Sequence, residues 1–275
     1  MNGDTVTGDA AAEAQRLIFL KSVPLQIRLQ EIRRVIGDTD RLACLDFGND
    51  NGAFSLYLRR SGGTWTTVVR EPAVAAGASA LLEATVTVFE GDELDVPDKH
   101  FDLVVVGEGL ERSADGQRFI AMCHRILKPD GRMLVCVPRD KPVSVLNPLR
   151  RRLARGARPP HGYTEGELFR TLKDGFDVHL MRSYSRFFVE LTDILTGPLR
   201  AAGAAAGAVD ERLRRQLMVA YILGWIGYQL DVLLFFTRGC RLIALGQRRP
   251  WLPRKTPVLG DGRSITEAVL QTASR

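Results

Sequence analysis

Leu42-Ala43-Cys44-Leu45-Asp46-Phe47-Gly48-Asn49-Asp50-Asn51-Gly52-Ala53-Phe54-Ser55 decides how this chain folds. An apolar run ends in an acid, passes through a Gly-Asn-Asp-Asn-Gly turn and re-enters the amphipathic segment Phe54-Ser55-Leu56-Tyr57-Leu58-Arg59-Arg60. That order of properties predicts a buried strand, a glycine-bearing loop and the first turn of a helix. In an open α/β sheet such a loop lies outside the carboxyl ends of the strands, where cofactors bind.

Strand and helix signals alternate on either side of it. Leu25, Leu29, Ile32 and Ile36 share one face of a helix within Arg16 to Ile36, with Pro24 suited to its first turn. Residues 1–15, small and acidic, are expected to be a disordered tail, and their lack of an apolar core argues against a signal peptide. Downstream, Trp65 to Val69 reads as a second strand ending at Glu71, and Pro72 opens an Ala-rich helix to about Glu83. Thr85 to Phe89 is a third strand, and the unbroken apolar run Phe101 to Val106 is a strand buried on both faces. A helix from about Asp115 to Leu127, a turn at Lys128-Pro129-Asp130-Gly131 and a fifth strand, Arg132 to Pro138, follow. The stretch 139–162 reads as an Arg/Pro-rich loop; Thr164 with Glu167 forms a capping box opening a helix to about Asp174. Phe176 to Tyr184 and Gly239 to Gly246 are the last strands. The alternation predicts an α/β fold with a doubly wound, mostly parallel seven-stranded sheet. The domain covers 16–248, and a Pro/Arg-rich tail covers 249–275.

With 275 residues, 45% hydrophobic and 25% charged, the chain can bury a sizeable core, which excludes global disorder. A net charge of +6, carried mostly by arginine, favours an anionic partner. Cys44, Cys123, Cys136 and Cys240 lie far apart with no CxxC pair, the pattern of buried thiols in a reducing compartment. His100, His124 and His179 lack ligand spacing, so no metal is expected.

Four segments together resemble the class I S-adenosylmethionine-dependent methyltransferases of the type 11 kind. Cys44 to Gly52 is similar to their acidic-x-Gly-x-Gly-x-Gly nucleotide loop, and Gly91 to Val104 to the segment joining strands three and four. Glu108-Gly109-Leu110-Glu111-Arg112 stands where the family often has Glu-x-Leu-Glu-His, and Arg125 to Val135 resembles its helix-turn-strand signature. The resemblance implies a Rossmann-like methyltransferase fold and S-adenosyl-L-methionine as cofactor. It implies roles for Asp46, Gly48, Asp50, Gly52, Glu71, Asp92, Glu93 and Glu108 around that cofactor. Asp46 would orient the loop and lie near the methionine amino group; Gly48 and Gly52 would admit close backbone approach. Glu71 would accept the ribose hydroxyls, or else is simply an acid at a helix start; Asp92 would take the adenine amino group, beside Glu93.

One position departs from the pattern: Asp50 replaces the central glycine. Asn and Asp tolerate left-handed backbone, so the turn survives, and Asp50 either meets the methionine ammonium or marks a site that has lost its cofactor. Methyl transfer from a sulfonium depends on alignment, so a base is optional. Arg112, standing in for histidine, stays protonated, which leaves His161 and Tyr163 as candidates; His161 also reads as a solvent-facing loop residue.

Between the last two strands lies an apolar insert, about 187–238. Phe187 to Leu199 is short, and Leu217 to Phe236 as a helix would be about 30 Å long, enough for a bilayer. Asp231 opposes a span, since an acid at a helix centre costs roughly 2.5–3.5 kcal/mol on insertion. So does topology, because both flanking strands belong to one sheet. The helix therefore lies in a membrane interface, covers the core or forms a dimer face. Arginines around it suit an anionic membrane surface. Nucleic acid is disfavoured, as these arginines are not interleaved with exposed aromatics. The expected activity is methyl transfer to a small-molecule, apolar or lipid-linked acceptor, by a cytoplasmic protein peripheral on the inner face of the membrane. The alternative is a non-catalytic member of the fold serving as a membrane-associated binding or scaffold subunit. Oligomeric state is left open.

Overall fold

The computed structural model describes residues 3–48, 52–89, 94–107, 109–113, 115–140, 146–153, 162–206 and 209–250. Seven strands form one sheet: Ala43–Phe47 (β1), Thr64–Val69 (β2), Val86–Val88 (β3), Phe101–Val106 (β4), Leu127–Pro138 (β5), Phe176–Tyr184 (β6) and Arg241–Arg248 (β7). Their order is β3-β2-β1-β4-β5-β7-β6. Strands β1 to β5 pair in parallel, and β7 runs antiparallel between β5 and β6. This is the doubly wound, mostly parallel sheet that the sequence predicts. The strand order reverses between β1 and β4, which opens a crevice at the carboxyl edge there.

The unbroken apolar run of β4 follows from burial on both sides. Val104 and Val106 pack with Leu45, Phe47, Val68 and Phe119 on one face. Leu103 and Val105 pack with Cys44, Tyr57, Trp65 and Leu134 on the other. The helices Gly116–Ile126 (α5) and Glu165–Leu172 (α7) cover the first face. The second is covered by Gly3–Leu20 (α1), Val23–Ile36 (α2), Ala53–Arg59 (α3) and Pro72–Leu82 (α4). The remaining helices are Leu146–Leu153 (α6), Phe187–Ala206 (α8) and Glu211–Leu233 (α9). The capping box forms as expected: Glu167 N–H donates to Thr164 Oγ1 at 3.2 Å, and Thr164 N–H to Glu167 Oε2 at 2.9 Å.

Four local expectations are corrected. Residues 3–15 belong to α1 instead of a disordered tail. The Ala-rich stretch has high helix propensity, and tertiary contacts fix it: Ala14, Ile18 and Phe19 are buried, with Phe19 stacked on Tyr57 at 4.5 Å. The turn at Lys128–Gly131 is a bulge inside β5, since Phe101 pairs with Leu127 and Leu103 with Arg132. Asp130, at φ 64°, supplies the left-handed step. The stretch 139–162 contains α6, whose Leu146 is buried and which packs on α8. The apolar segment starting at Phe187 is longer than expected, because α8 continues through Pro198 to Ala206. Arg200 braces that helix on Thr196 and Asp193, at 2.7 and 2.5 Å.

Helices α8 and α9 form a hairpin between β6 and β7, with α9 against α8 and α2. The seam of α9 is mostly small: Ala220, Gly224 and Gly227 are buried, with Leu217 and Asp231 towards its ends. A Cβ at Gly227 would stand 3.2 Å from the Phe188 carbonyl. Asp231, the acid that argued against a span, is buried. It accepts the backbone N–H groups of Arg186, Phe188 and Val189 at 3.0, 2.8 and 3.3 Å, and so caps the start of α8 from the neighbouring helix. None of the described helices is long and apolar enough to cross a membrane.

Candidate functional site

The carboxyl end of β1 lies at the switch point of the sheet, and Asp46 near that end is tied to its neighbours. This residue is 2% exposed. Thr67 Oγ1 donates to Asp46 Oδ1 at 2.9 Å, and the Ser55 hydroxyl donates to the other carboxylate oxygen. Arg59 Nη2 donates to the Thr67 hydroxyl at 2.9 Å, completing a relay from α3 through β2 to β1. Burial pushes the Asp46 carboxyl up from its ordinary pKa, against the hydrogen bonds from Ser55 and Thr67 and the Arg59 charge. The carboxylate thus ties the strand before the turn to the helix after it.

The two glycines answer to close approaches. Gly48 N–H donates to Val68 O at 2.8 Å, extending the β1–β2 ladder, and a Cβ there would lie 3.1 Å from Ser55 Oγ. Gly52 has φ +92°, and a Cβ would come within 2.9 Å of Ala78 Cα. Only glycine fits that left-handed position while α3 lies so close to α4.

Glu71 follows β2 and stands at the N-cap of α4, exposed, with no side-chain capping bond. The helix start does not use its carboxylate. Beside it, Arg70 lies over the Phe89 ring at 4.8 Å and the Phe119 ring at 6.0 Å. Phe47, Phe89 and Phe119 form an aromatic cluster under this edge, with Phe47 and Phe119 centroids 5.0 Å apart. Sequence reasoning missed Arg70; its signal lay in the register, because Val69 pairs with Val88 and so sets Arg70 beside Phe89.

After β4, Leu110–Arg112 forms a short 3-10 turn. Glu111, missed beside Arg112, is buried there and accepts Gly109 N–H at 3.0 Å. Tyr163 is buried in the core with Leu110, Phe119 and Leu168, and bridges to Arg139 beside the end of β5. Burial first, then Glu111 and Glu167, raise its phenol pKa. Tyr163 therefore keeps its proton, which disfavours it as a base. The sheet brings Asp46, Gly48, Gly52 and Glu71 to one edge, while Tyr163 lies in the core. The expected Asp50, Asp92, Glu93, Glu108 and His161 lie outside the described residues, as does the side chain of Arg112. No group of metal-ligating side chains occurs among the described residues.

Residues 45–135, from β1 into β5, match a family model described as "Methyltransferase domain". Over 92 residues the chain is 30% identical to "Ubiquinone/menaquinone biosynthesis C-methyltransferase UbiE" of Paraburkholderia xenovorans, covering 32% of this chain and 38% of that protein. The chain spans well under half the length of the curated relatives it matches. Among solved structures, a SAM-dependent methyltransferase from Thermotoga maritima aligns with TM-score 0.56 and 14% identity, over 84% of this chain and 92% of that one. Geranyl diphosphate C-methyltransferase from Streptomyces coelicolor A3(2), solved with S-adenosyl-L-homocysteine, aligns with TM-score 0.52 and 12% identity, over 82% and 76%. At these identities the structural likeness is one of fold.

Proposed function

We propose that this chain, a class I S-adenosylmethionine-dependent methyltransferase by its domain and fold, moves a methyl group from that cofactor to an apolar or lipid-linked small molecule met at a membrane surface. The observation that carries the cofactor half is the link that Asp46 makes from β1 to α3 and β2 at the switch point, with Glu71 following β2 and its carboxylate unused by α4. The residues fit the group. Gly48 and Gly52 keep Cβ atoms out of the turn, and Glu71 would take the ribose hydroxyls. When bound, the cofactor supplies an activated methyl carbon on a sulfonium. The chain's own work is then to align the acceptor and exclude water. Tyr163 holds its proton and gives structure to the wall between β5 and α5.

The acceptor half is supported by the relatives. The curated relatives reported above are named for ubiquinone and menaquinone biosynthesis. Calorimetry with S-adenosylmethionine tests the proposal. Binding is expected, and Glu71→Gln should weaken it by roughly 10-fold or more, the effect of losing a charge-assisted hydrogen bond. No binding at millimolar cofactor would leave a non-catalytic member of the fold. Asp50→Gly separates the two roles of that residue: tighter binding marks Asp50 as a handicap, weaker binding as a ligand.

A further inference from the structure

Helix α9 is built with its large apolar side chains outward. Its buried positions are mostly small, whereas Ile222, Leu223, Trp225, Ile226, Val232 and Leu233 are each at least 44% exposed. At 3.6 residues per turn these six occupy roughly half of the helix circumference, forming a ridge instead of a flat face. Phe235 and Phe236, just beyond the helix, are the most exposed large apolar side chains among the described residues.

The outward orientation is fixed by packing. A Cβ at Gly224 would lie 3.0 Å from Val23 Cβ, so α9 cannot roll to put a larger residue in the seam. The three amide bonds to Asp231 hold its rotation relative to α8. The exposed ridge is thus a stable feature of the fold, and an exposed apolar patch of this extent marks an interaction surface.

Charge identifies the partner. Arg212 and Arg214 are exposed at the start of α9, where Arg215 pairs with Glu211 at 3.2 Å and Asp210 caps the helix through Leu213 N–H, and Arg238 adds an exposed cation past its end. Trp225 and Tyr228 lie between these cationic ends, with aromatic bodies suited to a water–lipid boundary. We infer that the α9 ridge docks into the interface of an anionic membrane, its apolar side chains among the acyl chains and its arginines on lipid phosphates. The helix lies in the interface and does not cross it, because the hairpin leaves from β6 and returns to β7 of one sheet. A second copy of this chain would present one face to a ridge that needs covering on several sides, and would bring like charges to its ends. The inference deepens the proposal of a membrane-met acceptor, and docking is measured without methyl transfer.

Flotation of the full chain with phosphatidylcholine vesicles, with and without phosphatidylglycerol, tests it. The chain should float with the anionic vesicles, by roughly 10-fold over pure phosphatidylcholine at low salt, and lose that advantage as salt screens it. Trp225 emission should shift to the blue on docking; Trp225→Phe should float while losing the shift. The double variant Ile226→Glu, Leu233→Glu should stay unbound yet bind S-adenosylmethionine as the parent does, which shows that it is folded. The inference is overturned if the full chain ignores both vesicles, or if the double variant floats like the parent. It is also overturned if the free chain is a dimer that the double variant dissociates, since α9 would then join two copies. Flotation without any cofactor binding would sink the methyl-transfer proposal and leave the docking surface standing.

Discussion

The turn after β1 and the α8–α9 hairpin use the same two devices for opposite ends. Each has a glycine that lets backbones approach, Gly52 against Ala78 in one and Gly227 against Phe188 in the other. Each has a buried aspartate whose carboxyl is pushed up by burial and opposed by hydrogen bonds. Asp46 spends its oxygens on the hydroxyls of Ser55 and Thr67, and Asp231 on three amides at the start of α8. The difference is in what faces outward. Around the end of β1 the apolar Phe47 and Val68 are buried in the sheet core and Glu71 is exposed; on α9 the small residues and Leu217 point in and most of the large apolar ones point out. A glycine contact and a buried acid therefore fix geometry in both places, and the side chains left over decide what each surface can bind.

If the two regions are independent, a variant that damages one should spare the other. Asp231→Ala should have the largest effect on stability. It leaves three amides at the start of α8 without their acceptor, and each buried unsatisfied donor costs about 1–3 kcal/mol. Water reaching the helix start offsets part of this, so a loss of about 3 kcal/mol is expected in urea unfolding. Amide exchange should rise in 186–190 while S-adenosylmethionine affinity stays put. A parallel loss of cofactor affinity would show that the hairpin supports the turn after all. Gly52→Val should come next, at about 2 kcal/mol, because valine must adopt φ +92° with its Cβ against the Ala78 backbone. Here the outcome reverses: cofactor affinity should collapse and vesicle flotation should persist.

The same comparison explains what the sequence could and could not tell. The unbroken run Phe101–Val106, the Thr164–Glu167 box and the strand and helix on either side of 48–52 are local signals with one structural meaning, and each formed as expected. What was missed depends on partners distant in sequence. Helix α1 is held by Phe19 stacking on Tyr57, and Asp46 finds Thr67 on the next strand. The Arg70 contact with Phe119 crosses from β2 to α5. In the hairpin, counting apolar residues from Leu217 to Phe236 left burial, interface and dimer readings equal. The spacing of Ala220, Gly224, Gly227 and Asp231, small or acidic at helical steps, held the answer to which side packs inward.

Asp46→Asn should produce the smallest change in stability and the sharpest test of the turn. Asparagine keeps an acceptor for Thr67, and its amide can donate to the Ser55 oxygen, so the fold should persist. The carboxyl is raised in the folded chain above its ordinary value of 3.8, so between these two pH values the native state holds a proton that the unfolded chain has lost. Its contribution to stability is therefore full below 3.8 and is lost as pH rises through the folded value. The asparagine variant lacks that decline, so denaturation from pH 4 upward should show its stability gaining on the parent. Asp231 titrates in the same sense, and a residual slope should remain until it too is replaced. Cofactor affinity then separates two roles. If Asp46 only positions the turn, binding should change by a few-fold at most. If its carboxylate touches the methionine ammonium, roughly 10- to 100-fold should be lost, the range for a hydrogen bond to a charged group. Asp46 is only 2% exposed and is held by the hydroxyls of Ser55 and Thr67, which favours the smaller number.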